Sequence, residues 1–119
     1  MIIDRVFKVA PPRTVIPKPY AKGKFSVVRM GIRRGERALI YLIPNNNDPK
    51  TPYEKGITES EFEEAYKQLM HSGQLTHSWF KRNLSACDAE GPCNFTTVGG
   101  LFILLQKVTY VARGVYRKT

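Results

Sequence analysis

Apolar residues recur at helical spacing between positions 58 and 72, in a segment that also carries helix boundary signals. Thr58 followed by Glu61 forms a capping box, in which the two side chains satisfy backbone N–H groups at the start of a helix. Gly73 readily adopts the left-handed conformation that ends many helices. The pattern therefore predicts a helix from Thr58 to about Ser72.

Two further helices are predicted downstream. The same start signal recurs with Thr76 as N-cap, and it predicts a second helix to about Leu84. A polar loop is expected over residues 85–92. Apolar residues then regain helical spacing, which predicts a third helix that starts at position 94 or 97 and ends at Gln106.

Two runs rich in β-branched and aromatic residues predict a β-hairpin over residues 24–43. The runs flank Arg33-Arg34-Gly35-Glu36, where Gly35 is expected to close a type I turn with a G1 bulge. The second strand is apolar on both faces, so we expect it in the centre of the sheet and the first strand nearer an edge. Residues 44–56 are expected to form a loop, with Asx-turns in the Asn-rich stretch 45–49.

Both ends of the chain are expected to add extended structure. A short apolar run predicts a strand within residues 2–9, and residues 108–117 predict a β element that allows a break at Arg113-Gly114. Closely spaced prolines exclude a helix from about residue 10 to 22. This Pro-rich arm is expected to pack on the domain or to cross to a partner chain.

These elements predict a single α+β domain over residues 1–119. Its small antiparallel sheet would combine the 24–43 hairpin, the N-terminal strand and the C-terminal β element, and three helices would cover one side. The residues expected in the core are Val28, Ile32, Leu39, Tyr41, Ile43, Phe62, Leu69, Trp79, Phe80, Leu101, Phe102 and Leu105.

The net charge of +9 is unevenly distributed along the chain. Residues 1–50 carry 11 basic and 3 acidic side chains, residues 51–100 carry 4 and 7, and residues 101–119 carry 4 and none. A fold that brings both basic ends onto one face would produce the footprint of a polyanion binder. Alternatively, the excess of Lys and Arg only keeps the protein soluble.

No apolar stretch approaches the roughly 20 residues that a membrane-spanning helix needs, and the N-terminus lacks the apolar region of a secretory signal. We therefore expect a cytoplasmic protein with no membrane partner. A reducing compartment in turn disfavours a permanent disulfide.

Arginines are concentrated in the predicted hairpin, and a two-stranded ribbon is narrow enough to enter a groove of nucleic acid. Their guanidinium groups bind phosphate in a bidentate manner. Alternatively, they pair with the Glu59–Glu64 cluster of the same molecule. The residues expected to bind nucleic acid are Arg29, Arg33, Arg34, Arg37, Lys81, Arg82, Arg113 and Arg117.

Two other functions remain open. The first is an oligomeric module that binds a small molecule or a protein in a pocket lined by Tyr66, Trp79 and Phe80. The second is a small metal-independent ribonuclease that uses His77 or His71 for acid–base chemistry. Phosphate-loop, nucleophile-elbow and metalloprotease motifs are absent from the sequence, so an enzyme is not favoured and no cofactor is expected.

Cys87 and Cys93, together with His71 and His77, could in principle supply four metal ligands. Neither Cys-x5-Cys nor His-x5-His matches a common zinc spacing, so no metal site is predicted. Whether the two thiols are free, disulfide-linked or metal-bound is left open by the sequence.

The motif Trp79-Phe80-x-x-Asn83, the following Cys87, and Gly91-Pro92-Cys93-Asn94-Phe95-Thr96-Thr97-Val98-Gly99-Gly100 resemble uncharacterised hypothetical proteins of bacterial mobile DNA, including integron gene cassette proteins. The similarity covers roughly residues 53–117, and Tyr-Leu-Ile-Pro-Asn at 41–45 can be added to it. The resemblance implies a bacterial accessory protein and favours a homodimer with exposed grooves, but it assigns no catalytic residue. Together with the charge distribution, it predicts a non-enzymatic nucleic-acid-binding protein.

Overall fold

The computed structural model of the chain describes residues 1–44 and 53–119. The Asx-turns expected in the stretch 45–49 lie outside these residues. Within the described ranges the elements are, in chain order, α1 (Ile2–Val9), β1 (Ser26–Arg33), β2 (Glu36–Ile43), β3 (Tyr53–Thr58), α2 (Glu59–Ser72), β4 (Gln74–Thr76), α3 (His77–Asn83), α4 (Ser85–Glu90), α5 (Cys93–Leu104), β5 (Val108–Ala112) and β6 (Val115–Lys118).

The α+β class is confirmed, but the strands form two small antiparallel sheets where one was expected. The first sheet has the order β1-β2-β3 and the second has the order β4-β6-β5. The C-terminal hairpin of β5 and β6 pairs with the three-residue strand β4 and not with a strand of the first sheet. A strand this short carries no recognisable periodicity in the sequence.

The predicted N-terminal strand is wrong, since residues 2–9 form helix α1. Ile2, Ile3 and Val6 lie on one buried face of this helix, while Asp4 and its polar neighbours face solvent. Spacings of three and four residues place side chains on one helical face, whereas a strand would require alternation. The apolar run of this segment therefore has the helical period.

The hairpin of β1 and β2 is confirmed, with a different turn. Arg33 lies directly opposite Glu36, so the connection has only two residues. Arg34 and Gly35 both have positive φ, 49° and 75°. This combination defines a type I′ turn, whose twist matches the flanking strands better than the expected type I turn with a G1 bulge. Strand β2 is central, as predicted.

The three predicted helices are confirmed as α2, α3 and α5, and the capping box of Thr58 and Glu61 is formed. The C-terminal β element is divided at Arg113-Gly114 into β5 and β6. Two predicted loops contain further elements, since β3 begins within 44–56 and continues to Thr58, and α4 lies within 85–92. Helix α4 has no side-chain cap, so the sequence lacks the signal that would mark its start.

Helix α5 runs through the centre of the core and is buried over most of its length. Seven expected core residues are fully buried, namely Leu39, Tyr41, Phe62, Leu69, Phe80, Leu101 and Phe102. Four others are half-buried, namely Val28, Ile43, Trp79 and Leu105. Ile32 was expected in the core but is 65% exposed, because it pairs with exposed Arg37 near the hairpin turn.

Two glycines of α5 allow neighbouring segments to approach its backbone. A Cβ atom on Gly99 would overlap the ring of Tyr116 on β6, and one on Gly100 would overlap the carbonyl of Pro17. The Pro-rich arm thus packs on α5 of its own chain, with Ile16 buried and Val15 bridged to Ser26.

We expect Gly99→Ala to destabilise the protein by about 1–3 kcal/mol or more, because the added methyl group meets a buried aromatic ring. Denaturant unfolding at constant m-value would measure the loss. The substitution should cost less in a Tyr116→Leu background, where a smaller side chain frees the space. If Gly99→Ala lowered the free energy of unfolding equally in the two backgrounds, the overlap with the Tyr116 ring would not be the cause.

Candidate nucleic-acid interface

The exposed arginines of the hairpin strands already bind carboxylates of the same molecule. Arg29 donates from both terminal nitrogens to Glu54, at 2.9 and 3.0 Å. Arg37 donates in the same bidentate manner to Asp4, at 2.8 and 3.0 Å, and from Nε to Glu59 at 3.1 Å. The hydrogen bond from Arg37 lowers the pKa of Asp4 below its ordinary value. A polyanion could reach these guanidinium groups only in competition with those carboxylates.

Arg34, at the hairpin turn, forms the most deeply buried of these ion pairs. Its Nε and Nη2 donate to the two carboxylate oxygens of Glu61 at 2.7 and 2.6 Å, and Nη2 also donates to the Gly56 carbonyl at 2.8 Å. Glu90 lies 3.1 Å from Arg34 Nη1 and 3.6 Å from Arg33 Nε. The side chains of Arg34 and Glu61 are only 21% and 9% exposed. This network joins the hairpin turn to helices α2 and α4.

Glu61 keeps its charge in this setting. Burial raises its pKa, but the hydrogen bonds from Arg34 and from the Thr58 backbone N–H lower the pKa by more than burial raises it. The pKa of Glu61 therefore lies below its ordinary value. Sequence analysis left open that hairpin arginines pair with the Glu59–Glu64 cluster. In the structure, Arg34 and Arg37 form such pairs.

The other four residues expected to bind nucleic acid, Lys81, Arg82, Arg113 and Arg117, are exposed. None of them has a carboxylate within 4.0 Å among residues 1–44 and 53–119. The sequence contains no acidic residue after Glu90. The structure therefore separates the predicted set into paired hairpin arginines and exposed cations on α3 and the C-terminal hairpin.

The outer face of the second sheet is open to solvent. Arg117 on the central strand β6 pairs with Gln74 on one side and Thr109 on the other, and all three are exposed. The opposite face of the same strands packs into the core through Leu75 and Tyr116. Alternation along the strands thus places Arg117 at the middle of a polar, carboxylate-free face.

The Pro-rich arm meets this sheet at its β5 edge. Tyr20, which is 84% exposed, contacts Tyr110 edge-on with 6.5 Å between ring centroids. Residues 5–35 contain no acidic side chain, and Lys22 at the end of the arm and Lys24 just after it are exposed. The arm and the C-terminal sheet, two basic parts of the chain, therefore lie side by side.

Lys18 fastens the arm to helix α5. Its Nζ donates to the Cys93 carbonyl and to Thr96 Oγ1, both at 2.8 Å, and lies 4.2 Å from the centroid of the Phe25 ring. Burial lowers the pKa of Lys18 to about 7. Sequence analysis missed this role because the residue lies between two prolines in a segment without periodicity.

His77 connects three elements near the C-terminal hairpin. Its Nε2 lies 2.8 Å from Asp88 Oδ1, and its ring stacks on Phe95 with 4.6 Å between centroids. Its backbone N–H donates to the Gly114 carbonyl at 2.9 Å. The start of α3 is thereby fixed to α4 and to the β5–β6 turn. His71 takes no part in this arrangement and lines a separate cleft.

The two cysteines are free thiols. Cys87 is buried, Cys93 is half-buried, and the two thiols are not joined. Burial raises the pKa of the Cys87 thiol well above its ordinary value. In the part of the chain that the structure describes, no three His, Cys, Asp or Glu side chains are arranged to hold a metal ion.

A cleft of about 300 Å³ between α2 and α3 contains one of the three residues that were predicted to line an aromatic pocket. Trp79 lines it, but Phe80 is buried in the core and Tyr66 packs edge-on against Phe102. The lining residues are Glu64, Lys67, Gln68, His71, Trp79 and Asn83. The α2 side chains of the cleft were not predicted, because their spacing in the sequence is that of the solvated face of an amphipathic helix.

We expect Arg34→Ala to destabilise the protein by about 2 kcal/mol, because Glu61 and Glu90 would remain partly buried without their cation. Denaturant unfolding at pH 7 would measure the loss. The exposed pair of Arg29 provides the control, and Arg29→Ala should have a much smaller effect. Equal losses would contradict the distinction between the two ion pairs.

We expect Lys18 to make stability depend on pH. Between about pH 7, its pKa in the folded protein, and about pH 10, its pKa in the unfolded chain, only the unfolded chain binds the proton. Stability should therefore rise with pH across this window, by on the order of 2–4 kcal/mol relative to Lys18→Met. Parallel unfolding curves of the two proteins from pH 6 to 10 would test this. A constant difference between them would refute it.

In the described residues, no helix is both long and apolar enough to cross a bilayer. No protein-family model, no curated protein and no solved structure matches the chain. The resemblance to proteins of bacterial mobile DNA, and the homodimer that it favours, therefore stay predictions.

Proposed function

We propose that this protein binds nucleic acid without catalysing a reaction. The contact would be made by the C-terminal basic surface, which we define as Lys81, Arg82, Arg113 and Arg117. One observation carries the proposal, namely that these four cations are exposed and lack a carboxylate partner within the described residues, whereas the hairpin arginines are paired.

The difference in pairing decides which cations attract a polyanion. A solvated cation gains a phosphate contact and releases counterions from the nucleic acid. A paired arginine must first give up its carboxylate, which then repels the phosphates. Arg29, Arg33, Arg34 and Arg37 are therefore assigned to ion pairs within the molecule.

The members of the C-terminal basic surface belong to adjoining elements. The β5–β6 turn, which carries Arg113, contacts the start of α3 through the hydrogen bond from His77 to Gly114. Lys81 lies one helical turn after His77, and β6 continues from the turn to Arg117. This continuity supports one extended contact with several phosphates.

The role of an accessory protein of bacterial mobile DNA rests on the sequence resemblance alone. It fits a nucleic-acid-binding protein, and we keep it as part of the proposal. Solution mass measurements would test the homodimer that the same resemblance favours.

We expect Arg113→Ala/Arg117→Ala to weaken binding to oligonucleotides and to reduce the salt dependence of log K by about two, since each lost phosphate contact removes about one. Fluorescence anisotropy across a salt series would measure both. Arg29→Ala/Arg37→Ala removes the same net charge and should retain most of the affinity and slope.

Two results would overturn the proposal. Wild-type protein that binds neither single-stranded nor duplex oligonucleotides at low salt would remove its basis. Equal losses in the two double variants would show that net charge, and not the C-terminal basic surface, determines binding. Circular dichroism would verify that both variants remain folded.

A further inference from the structure

The cleft between α2 and α3 contains side chains that the proposed phosphate contacts do not use. Its α2 wall presents Glu64, Lys67, Gln68 and His71, whose spacing places them along one face of the helix. Its α3 wall presents Trp79 and Asn83, one turn apart. We infer that this cleft binds an unpaired nucleobase of a single-stranded nucleic acid, stacked on Trp79.

Trp79 supplies an aromatic plane at the cleft. It is half-buried, and it makes no aromatic ring pair within the described part of the chain. An indole fixed on one side and open on the other is a typical stacking platform for a base. Phe80, the next residue, anchors α3 in the core and thereby limits the movement of this platform.

Three side chains of the cleft, Glu64, Gln68 and Asn83, carry oxygen atoms that can accept hydrogen bonds. The amide nitrogen of Gln68 donates to Ser72 Oγ at 3.2 Å, and that of Asn83 donates to the Trp79 carbonyl at 2.9 Å. These contacts orient both amides and leave each one a carbonyl oxygen that can accept and a second N–H that can donate. With the Glu64 carboxylate the carbonyl oxygens form an acceptor set that suits the exocyclic amine of adenine or cytosine.

Cations lie where the phosphates of such a strand would run. Lys67 lies on the α2 wall. On α3, Lys81 and Arg82 follow Trp79 by two and three residues and are exposed. A strand whose base enters the cleft would therefore meet positive charge on both helices.

The size and polarity of the cleft favour one base of a strand over an enclosed metabolite. Its volume of about 300 Å³ is at the lower limit for ligand pockets, and polar side chains predominate in its lining. Such a site can hold a single ring while the sugar and phosphates remain in solvent. The inference rests on the proposed function, because Lys81 and Arg82 belong to both surfaces.

The sole tryptophan of the chain makes the cleft directly observable, since all indole fluorescence comes from Trp79. We expect single-stranded oligoadenylate and oligocytidylate to quench this fluorescence at low salt, and a duplex to bind without quenching it. AMP serves as a second probe and distinguishes a strand from a free nucleotide as the source of the base.

Variants test the roles of the individual side chains. Trp79→Ala should lower the affinity for oligoadenylate roughly tenfold to a hundredfold, the range expected for the loss of one stacked base, while Trp79→Phe should retain part of it. Asn83→Leu changes an exposed residue and should reduce the preference for oligoadenylate over oligouridylate. Asn83→Leu therefore still tests the base site if Trp79→Ala fails to fold.

The outcomes separate this inference from the proposed function. Salt-dependent binding of single strands with unchanged fluorescence and wild-type affinity in Trp79→Ala would refute the base site and leave the proposed function standing. If AMP quenched the fluorescence as strongly as oligoadenylate, the cleft would be a site for a free nucleotide, and the inference that it binds a base of a strand would be refuted. If no polynucleotide binds, the proposed function and this inference both fail.

Discussion

The bidentate ion pair between Arg34 and Glu61 is the contact on which the distribution of charge in this protein depends. Glu61 also accepts the Thr58 backbone N–H at 2.8 Å, so one carboxylate both caps α2 and binds the hairpin turn. Its buried charge is tolerated because a guanidinium lies against it. Arg34 reaches it from a left-handed turn that most residues adopt only at a cost. The first sheet and the helical half of the fold are joined through this contact.

The pairing also determines which cations remain available. The fold directs the acidic residues of the middle of the chain towards the hairpin arginines, as Glu54, Glu59, Glu61 and Glu90 show. No acidic residue follows Glu90, so cations of the C-terminal sheet meet no such partner in the described residues. The hairpin arginines are thus paired with carboxylates, whereas Lys81, Arg82, Arg113 and Arg117 have no carboxylate within 4.0 Å in the described residues.

The sequence allowed accurate prediction where the signals are local. Caps and apolar stripes identified α2, α3 and α5, because a helix is determined by residues three and four positions apart. Strand partners lie far apart in the chain, so the division into two sheets and the role of β4 could not be read from periodicity. The ion pairs were foreseen as an alternative, but nothing local could select the carboxylate that each arginine binds. The cleft was missed for the same reason, since its walls come from two helices.

Helix α3 connects the two surfaces that the proposals assign to nucleic acid. Its first residue, His77, is held by Asp88 and by the Gly114 carbonyl, which sets the distance between the helix and the β5–β6 turn. Trp79 and Lys81 follow on the same short helix, one at the cleft and the other in the C-terminal basic surface. Because Phe80 is packed in the core between them, the helix cannot rotate to serve one surface without the other. A strand bound at both would therefore be held in a single register, with base and phosphate contacts fixed relative to each other.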